Sequence, residues 1–426
     1  VESSILILSH TPGISSRALD MPGSPIRRSF MAARALQERG VDVVRLDIGD
    51  PDFALPPHFA AAIEQALRDG HTHYSPMAGV PELRAALAAH VQRRYGVDCA
   101  AGEVIVNQGA TEGLNAALTL TCDPGDFLLM PEIYWPNYIQ QVALAGVRPA
   151  FYRLDRNFQP VLDDLPGLAA AAEEAGSRIA AVLMNSPSNP TGAVFPRATV
   201  EALYDFARDH GSWVVSDEAY CDYVFEGEHF SPLMLDRRQP VDERIVLAVF
   251  SASKSYAATG LRLGWTIAPT PAAAARLQII NEPLTGSLTT PLQYGLAAAV
   301  AVEDAHERRD ALRGRWQLAH EMLAAAGLES AHPQGGLFYF VDISRTGLDA
   351  EQFADELLQQ EHVAVVAGDG FGLQPHFENA REGFYPTDLA RRHIRLCFAV
   401  PEARLRQGLE GLVAFLRRKT AGEGGR

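Results

Sequence analysis

Ser251-Ala252-Ser253-Lys254-Ser255 is followed by Thr259-Gly260-Leu261-Arg262-Leu263-Gly264. A lysine among small hydroxyl residues, with an arginine eight positions on, offers two kinds of chemistry. Its amine can form a Schiff base with a carbonyl compound or carbonyl cofactor. The hydroxyls and the guanidinium can hold a phosphate on that cofactor. Taken singly, each residue has a plainer reading: a solvated surface lysine, a polar serine turn, an arginine in a surface ion pair. The chemistry needs partners elsewhere in the chain.

Three further motifs sit where such partners would be. Asn185-Ser186-Pro187-Ser188-Asn189-Pro190-Thr191-Gly192 follows an apolar run that ends at Met184. Val214-Val215-Ser216-Asp217-Glu218-Ala219-Tyr220 closes another apolar run, and Gln108-Gly109-Ala110-Thr111-Glu112 joins a third to a helix-like stretch. The runs 103–107, 127–130, 180–184, 213–216, 245–250 and 264–268 read as strands. Amphipathic stretches such as 111–121 and 197–210 alternate with them. That alternation predicts an α/β fold, a mostly parallel sheet with helices on both faces. Asp123-Pro124-Gly125-Asp126 and Asn189-Pro190-Thr191-Gly192 punctuate the joins. The motifs then lie at the C-terminal ends of parallel strands, where open α/β sheets bind ligands.

The last third changes character. Residues 293–326 read as long helices; strand-like 337–341, 363–366 and 394–398 interleave with further helix. This divides the chain into a large domain, 56–299, and a smaller α/β domain made of 1–55 with 300–426. A length of 426 residues suits two such units. The tail from Lys419 reads as loose.

Composition narrows the function classes. Hydrophobic residues make up 47% and charged residues 21%, ordinary for a folded globular chain. A net charge of −15 argues against nucleic acid and anionic membrane as partners. Cys99, Cys122, Cys221 and Cys397 are scattered without a CxxC, which reads as reduced thiols in a cytoplasmic protein and not as a disulfide framework. Ser4-Ile5-Leu6-Ile7-Leu8 is too short for a signal segment, and no run reaches ~18 apolar residues, the span of a bilayer.

The motifs in this order resemble the fold-type I pyridoxal-phosphate enzymes, specifically the class I and II aminotransferases of the bacterial aspartate-aminotransferase subgroup. Gly49-Asp50-Pro51-Asp52-Phe53, Tyr74 before Gly79-Val80-Pro81-Glu82-Leu83-Arg84, and His393-Ile394-Arg395-Leu396 extend the resemblance from about Met21 to the C-terminal helix.

The resemblance implies pyridoxal 5'-phosphate on Lys254. Asp217 would pair with the ring nitrogen; alone it could be a helix cap. Asn189 and Tyr220 would hydrogen-bond the ring's phenolic oxygen; their plain readings are a turn and a core aromatic. Trp135 would stack on the ring, or else be core. The backbone N–H groups of Ala110 and Thr111, at a helix N-terminus, would bind phosphate with Ser251, Ser253 and Arg262. Tyr74 would reach the phosphate of a neighbouring subunit's cofactor, implying a homodimer with active sites at the interface; a buried core tyrosine is the alternative. Arg395 would take the substrate α-carboxylate with its planar fork, with Gly49, Trp135 and Asn189 beside it. Once the substrate displaces it, the Lys254 amine would move the α-proton as general base and then acid, helped by desolvation that lowers its pKa.

Specificity is where the chain departs from the subgroup. The resembled aspartate enzymes carry a lysine where this chain has Thr111 and a threonine where it has Ile26. Arg27 and Arg28 offer a substitute charge or a solvated helix start. The stretch 370–392 is longer than in the subgroup and carries His376, Phe377, Phe384 and Tyr385; it reads as an active-site flap or as surface decoration. Two functions remain: an aminotransferase acting between an amino acid and a 2-oxo acid, or a lyase or synthase on the same scaffold that expels a β- or γ-substituent or closes a bond, S-adenosylmethionine being one such substrate.

Overall fold

Proline stands in the first turn of the helices Pro25–Gln37, Pro57–Arg68, Pro81–Tyr95 and Pro271–Thr285, where an N–H has no helical partner to lose. The computed structural model describes residues 13–19, 21–302, 305–328, 332–378 and 381–421. The apolar run 4–8 lies outside them.

β1 (Val44–Arg45) is followed by β2 (Val104–Asn107), β3 (Phe127–Pro131), β4 (Arg148–Tyr152), β5 (Ile179–Asn185), β6 (Trp213–Asp217), β7 (Val246–Ser251) and β8 (Gly264–Ile267). The last seven form one sheet in the order β2-β8-β7-β6-β5-β3-β4. Only β8 runs against its neighbours; the β3–β4, β3–β5, β5–β6 and β6–β7 pairs are parallel. Every residue of β2, β5, β7 and β8 is buried, as a sheet covered on both faces requires. The C-terminal ends of β2, β5, β6 and β7 therefore share one edge. β4 is absent from the sequence expectation. Its Pro149 breaks the apolar pattern, and the strand is tolerated because it lies at the sheet's margin.

The C-terminal third adds β9 (Phe338–Asp342), β10 (Val363–Ala364), β11 (Val366–Ala367), β12 (Leu373–Glu378), β13 (Arg381–Pro386) and β14 (His393–Cys397). The expected single strand at 363–366 is two short ones in different sheets: β10 pairs with β1, and β11 with β14. Val363 to Val366 are all buried, so the run is apolar throughout although its pairing changes. β9, β14 and β11 form an antiparallel sheet with β14 in the middle. Within the long stretch 370–392, β12 and β13 pair antiparallel and the short helix Asp388–Arg391 follows. The tail expected to loosen from Lys419 is helical to Ala421, with Lys419 paired to Glu356.

Apolar cores follow these sheets. One buried cluster joins Leu83, Val182, Phe250 and Leu296. Another joins Val44 and Leu46 to Leu312, Trp316, Phe353 and Phe415. Where β8 passes the start of the helix Ala110–Thr121, a Cβ on Gly264 would lie 2.7 Å from Ala110 N and 2.7 Å from the Gly109 carbonyl carbon. Both are backbone atoms that cannot swing away. Gly264→Ala is expected to lower the free energy of unfolding by about 1–3 kcal/mol, the cost of overpacking, measured by urea denaturation.

Candidate active site

The shared strand edge brings the predicted motifs together. Asn185 ends β5 and lies in register with Asp217, which ends β6. Asn185 links the two loops: its side-chain amide donates to Asp217 O at 3.2 Å and its Oδ1 accepts Asn189 N at 2.9 Å. Asp217 is 4% exposed. Its Oδ2 accepts Tyr138 O–H at 2.5 Å and its Oδ1 accepts Ala219 N–H at 3.0 Å. Burial pushes its pKa up to about 6; the two hydrogen bonds oppose that rise, and neighbouring Glu218 adds to it. The groups acting on it are thus neutral or anionic. The carboxylate is dry and has donors, but no cation among the described residues pairs with it.

β7 ends at Ser251, whose Oγ accepts Ser253 N–H at 3.2 Å and caps the short helix Ala252–Ser255. Lys254 in that turn donates to Gly49 O at 2.5 Å. The backbone beneath it is held by Tyr223, whose hydroxyl donates to Lys254 O at 2.7 Å. Burial lowers the Lys254 pKa to about 8, with Cys397 and Asp50 opposing the fall and Arg395 and Arg262 adding to it. A Cβ at Gly49 would come within 2.5 Å of the buried Phe338 ring, so a larger residue there would have to displace that ring.

Arg262 has left-handed backbone, φ +53. Its guanidinium donates to Thr259 O at 2.8 Å and Ser253 Oγ at 3.4 Å. It also lies against Gly109, where a Cβ would fall 2.5 Å from Nη2. Gly109 caps the helix Ala110–Thr121. The result is a cradle of N–H groups, hydroxyls and a guanidinium that a larger residue at 109 would fill. Such a cradle suits a phosphate.

Arg395 is 1% exposed, in the middle strand of the small sheet. It donates to Asn189 Oδ1 at 3.0 Å and to Asp47 O at 2.7 Å. Its Nε is buried without a partner. The guanidinium stands 4.2 Å from the Phe338 ring centre and 5.0 Å from that of Phe371. Burial lowers its pKa. The Asp47 carboxylate turns instead to Arg45, at 2.8 and 2.9 Å. Tyr220 is buried beside this group, its pKa raised by burial, with Arg395 and Asn189 drawing it back.

The remaining expected residues differ in burial and in what they touch. Trp135 is partly buried and meets Tyr138 edge-on at 5.4 Å. Thr111 is partly buried, its carbonyl accepting Gln141 Nε2 at 2.8 Å. Tyr74 is 95% exposed, so it is not a core residue of this chain. Its segment is nevertheless held, by Thr290 Oγ1 on His73 O at 2.7 Å and by Ser287 on Ser75 N at 3.1 Å. Arg28 is no spare charge, because it pairs with Glu351 and with Asp355. The side chains of His376 and Phe377 lie outside the described residues.

Sequence reasoning missed Tyr138, Asn185, Phe338 and Phe371 as site residues. Asn185 opens a motif already noted and Tyr138 follows Trp135 by three positions, yet nothing in their spacing shows which carboxylate or amide they meet. Among the described residues, no group of three or more His, Cys, Asp or Glu side chains is placed to hold a metal. A dry carboxylate without a cation, an anion cradle, a lysine of lowered pKa and a buried guanidinium without a carboxylate fit pyridoxal phosphate with an amino acid.

The chain has two lysines, Lys254 and Lys419, which makes the amine testable. Lys254 is neutral above its pKa of about 8 and charged below it. In cofactor-free protein, trapping of Lys254 by an aldehyde and borohydride should therefore rise with pH and reach half its maximum near pH 8. An unperturbed lysine reaches it near pH ~10.4. Mass spectrometry reads the site, with a lysine-containing model peptide as reference.

Comparison with known proteins gives a consistent picture. The family described as aminotransferase class I and II matches residues 41–412. The aspartate/prephenate aminotransferase of Thermus thermophilus is 33% identical over 411 residues, covering 95% of this chain and 99% of the relative. The arginine–pyruvate transaminase of Pseudomonas aeruginosa is 36% identical over 381 residues, covering 86% and 93%. Among solved structures, the Thermus thermophilus aspartate aminotransferase with maleate has a TM-score of 0.85 at 32% identity, covering 95% of this chain and 100% of that one. The alanine aminotransferase from Pyrococcus furiosus has a TM-score of 0.84 at 29% identity, with the same coverage.

Proposed function

The chain belongs to the class I and II aminotransferases, enzymes that use pyridoxal phosphate, and on that footing we propose how its own residues divide the work. When bound, the cofactor supplies an electron sink that eases bond breaking at the amino acid's α-carbon. Lys254 would anchor it covalently. Asp217, fixed by Tyr138, would pair with its ring nitrogen. Asn189 and Tyr220 would hydrogen-bond its ring oxygen, and Trp135 would stack on the ring. Ala110 and Thr111 N–H, Ser251, Ser253 and Arg262 hold the phosphate. Arg395 takes the α-carboxylate of the amino acid and later of the 2-oxo acid, with Gly49, Trp135 and Asn189 beside it. Once the substrate has displaced it, Lys254 Nζ would take the proton from the α-carbon and deliver it to the cofactor's carbon, a task suited to an amine with a pKa of about 8 near neutral pH.

The observation that carries this reading is the set of buried groups without counter-charges: Arg395 and Asp217, with Lys254 desolvated near them.

We also infer a homodimer. Its support is Tyr74, exposed on a segment that hydrogen bonds hold in place. Residues 56–299 are read as the large domain and 1–55 with 300–426 as the small one; the packing of Val44 and Leu46 with the C-terminal core supports this. No helix among the described residues is long and apolar enough to cross a membrane. A cytoplasmic setting is supported by four free cysteines.

Two experiments test these readings. Given an amino acid alone, the holoenzyme should form one equivalent of 2-oxo acid per chain and release no ammonia; adding a second 2-oxo acid should restore turnover. Continuous release of ammonia, or of an eliminated group, would indicate a lyase. Lys254→Ala should abolish activity, and Tyr74→Ala should lower it about tenfold, as loss of a hydrogen bond to a charged group does. Refolding the two variants together should restore activity if Tyr74 serves the partner's site. Unrestored mixtures would put Tyr74 to work within its own chain or outside the site.

A further inference from the structure

Resting on the aminotransferase reading above, we propose that the preferred amino acid has an uncharged apolar side chain, aliphatic or aromatic, and that Ile26, Phe371 and Phe384 select it. A substrate carboxylate on Arg395 sets the amino acid's α-carbon beside the residues that surround that guanidinium. Phe371 lies beneath it and Phe340 faces it in register across β14 and β9. Phe371 and Phe340 belong to one buried cluster with Ile133, Phe158 and Val366, and partly buried Ile26 packs on it. This wall is aromatic and aliphatic, with one polar ring in it: buried His393, stacked on Phe340 with ring centres 4.8 Å apart.

A second wall comes from the hairpin. Phe384 on β13 and Trp135 both pack, partly buried, on the cluster that contains Tyr134 and Tyr138. The hairpin's base is fixed to the large sheet's side of the site. Tyr134 N donates to Phe371 O at 2.7 Å and Tyr134 O–H to Leu373 O at 2.5 Å. Thr387 N closes the base on Gly372 O at 3.0 Å. An apolar hairpin so anchored, beside Trp135, is a side-chain lid.

Several charged groups of the chain are already committed. A second substrate carboxylate needs its own cation or donors to leave water. Arg28 is paired with Glu351 and Asp355, Arg153 with Asp164, Arg45 with Asp47. Arg262 belongs to the phosphate cradle. Thr111 and Ile26 carry no charge. A basic side chain finds no acid among the residues named in the two walls; Asp369, partly buried two positions before Phe371 with its Oδ2 unpartnered, enters the test through arginine. Arg27 is exposed at the start of the Pro25–Gln37 helix and enters the test.

Single-turnover rates of 2-oxo acid formation by the holoenzyme, without an acceptor, separate the possibilities. Alanine, leucine, methionine, phenylalanine, aspartate, glutamate and arginine are compared as rate over half-saturation concentration. Leucine, methionine or phenylalanine should exceed aspartate and glutamate by roughly 100-fold, the order of discrimination an apolar pocket gives. Phe384→Ala should lower the phenylalanine-to-alanine ratio about tenfold; a general folding defect would lower both and leave the ratio unchanged, removing Phe384 from the pocket. Ile26→Arg should shift the phenylalanine-to-glutamate ratio toward glutamate. Aspartate, glutamate or arginine as the best substrate would overturn the inference while leaving the aminotransferase intact. So would a glutamate preference that Arg27→Ala abolishes. Absence of oxo acid from every amino acid would overturn the aminotransferase reading and this inference together.

Discussion

A guanidinium buried to 1% exposure, stacked on two phenyl rings and lacking a carboxylate, is the interaction on which this architecture turns. Removing a charge from water without pairing it is expensive. Here Asn189 Oδ1 and Asp47 O satisfy part of Arg395, and Nε is left over. The compensation is incomplete in a way that favours an incoming carboxylate. The same holds with opposite sign at Asp217, which has Tyr138 and Ala219 as donors but no cation. Had the fold let Asp217 meet Arg395, each would have neutralised the other, and neither would remain for a ligand. Asn189 and Tyr220 stand between their demands, one hydrogen-bonded to the arginine and the other buried near both.

Keeping these groups close but unpaired is the work of the sheets. Parallel pairing in register puts Asn185 beside Asp217 and carries β7 to the same edge, so three loops emerge together. Lys254, Asp217 and Asn189 all belong to that edge. Arg395 comes from a different sheet, in the middle strand β14, where neighbours on both sides fix its position. The segment from Asp47 to Gly49 ties the two systems: Asp47 O accepts Arg395 and Gly49 O accepts Lys254. A small movement of that segment would reach both the proton-transfer amine and the carboxylate-binding fork.

Much of this was legible in the sequence because the chemistry is written in local motifs. Lys254 between serines, Asp217 at a strand end, Asn189 before a proline and Arg395 in an apolar strand each announce themselves, and alternating strands and helices put them at one edge. What escaped was set by contacts between distant segments. Tyr138 is 79 positions from the Asp217 carboxylate it meets, and no pattern around it names that partner. Phe371 reads as an ordinary apolar residue until the fold lays it under Arg395. Pro149 hid β4 because an edge strand does not need the central-strand pattern. The stretch 370–392 lacked a strong strand signal, yet it closes as a hairpin whose base is tied by Tyr134. Tyr74 shows the converse: its motif was plain, but only the fold reveals that it faces outward.

The central claim is that Arg395 is kept charged and unpaired for a ligand and is not a structural ion. Urea unfolding of the cofactor-free Arg395→Met variant against the parent tests it most directly, since methionine keeps an apolar stem over Phe338 and Phe371. The account predicts stability within about 1 kcal/mol of the parent or above it, as when a poorly compensated buried charge is replaced by a well-packed apolar group. A loss of about 3 kcal/mol or more, the cost of breaking a buried ion pair, would contradict it.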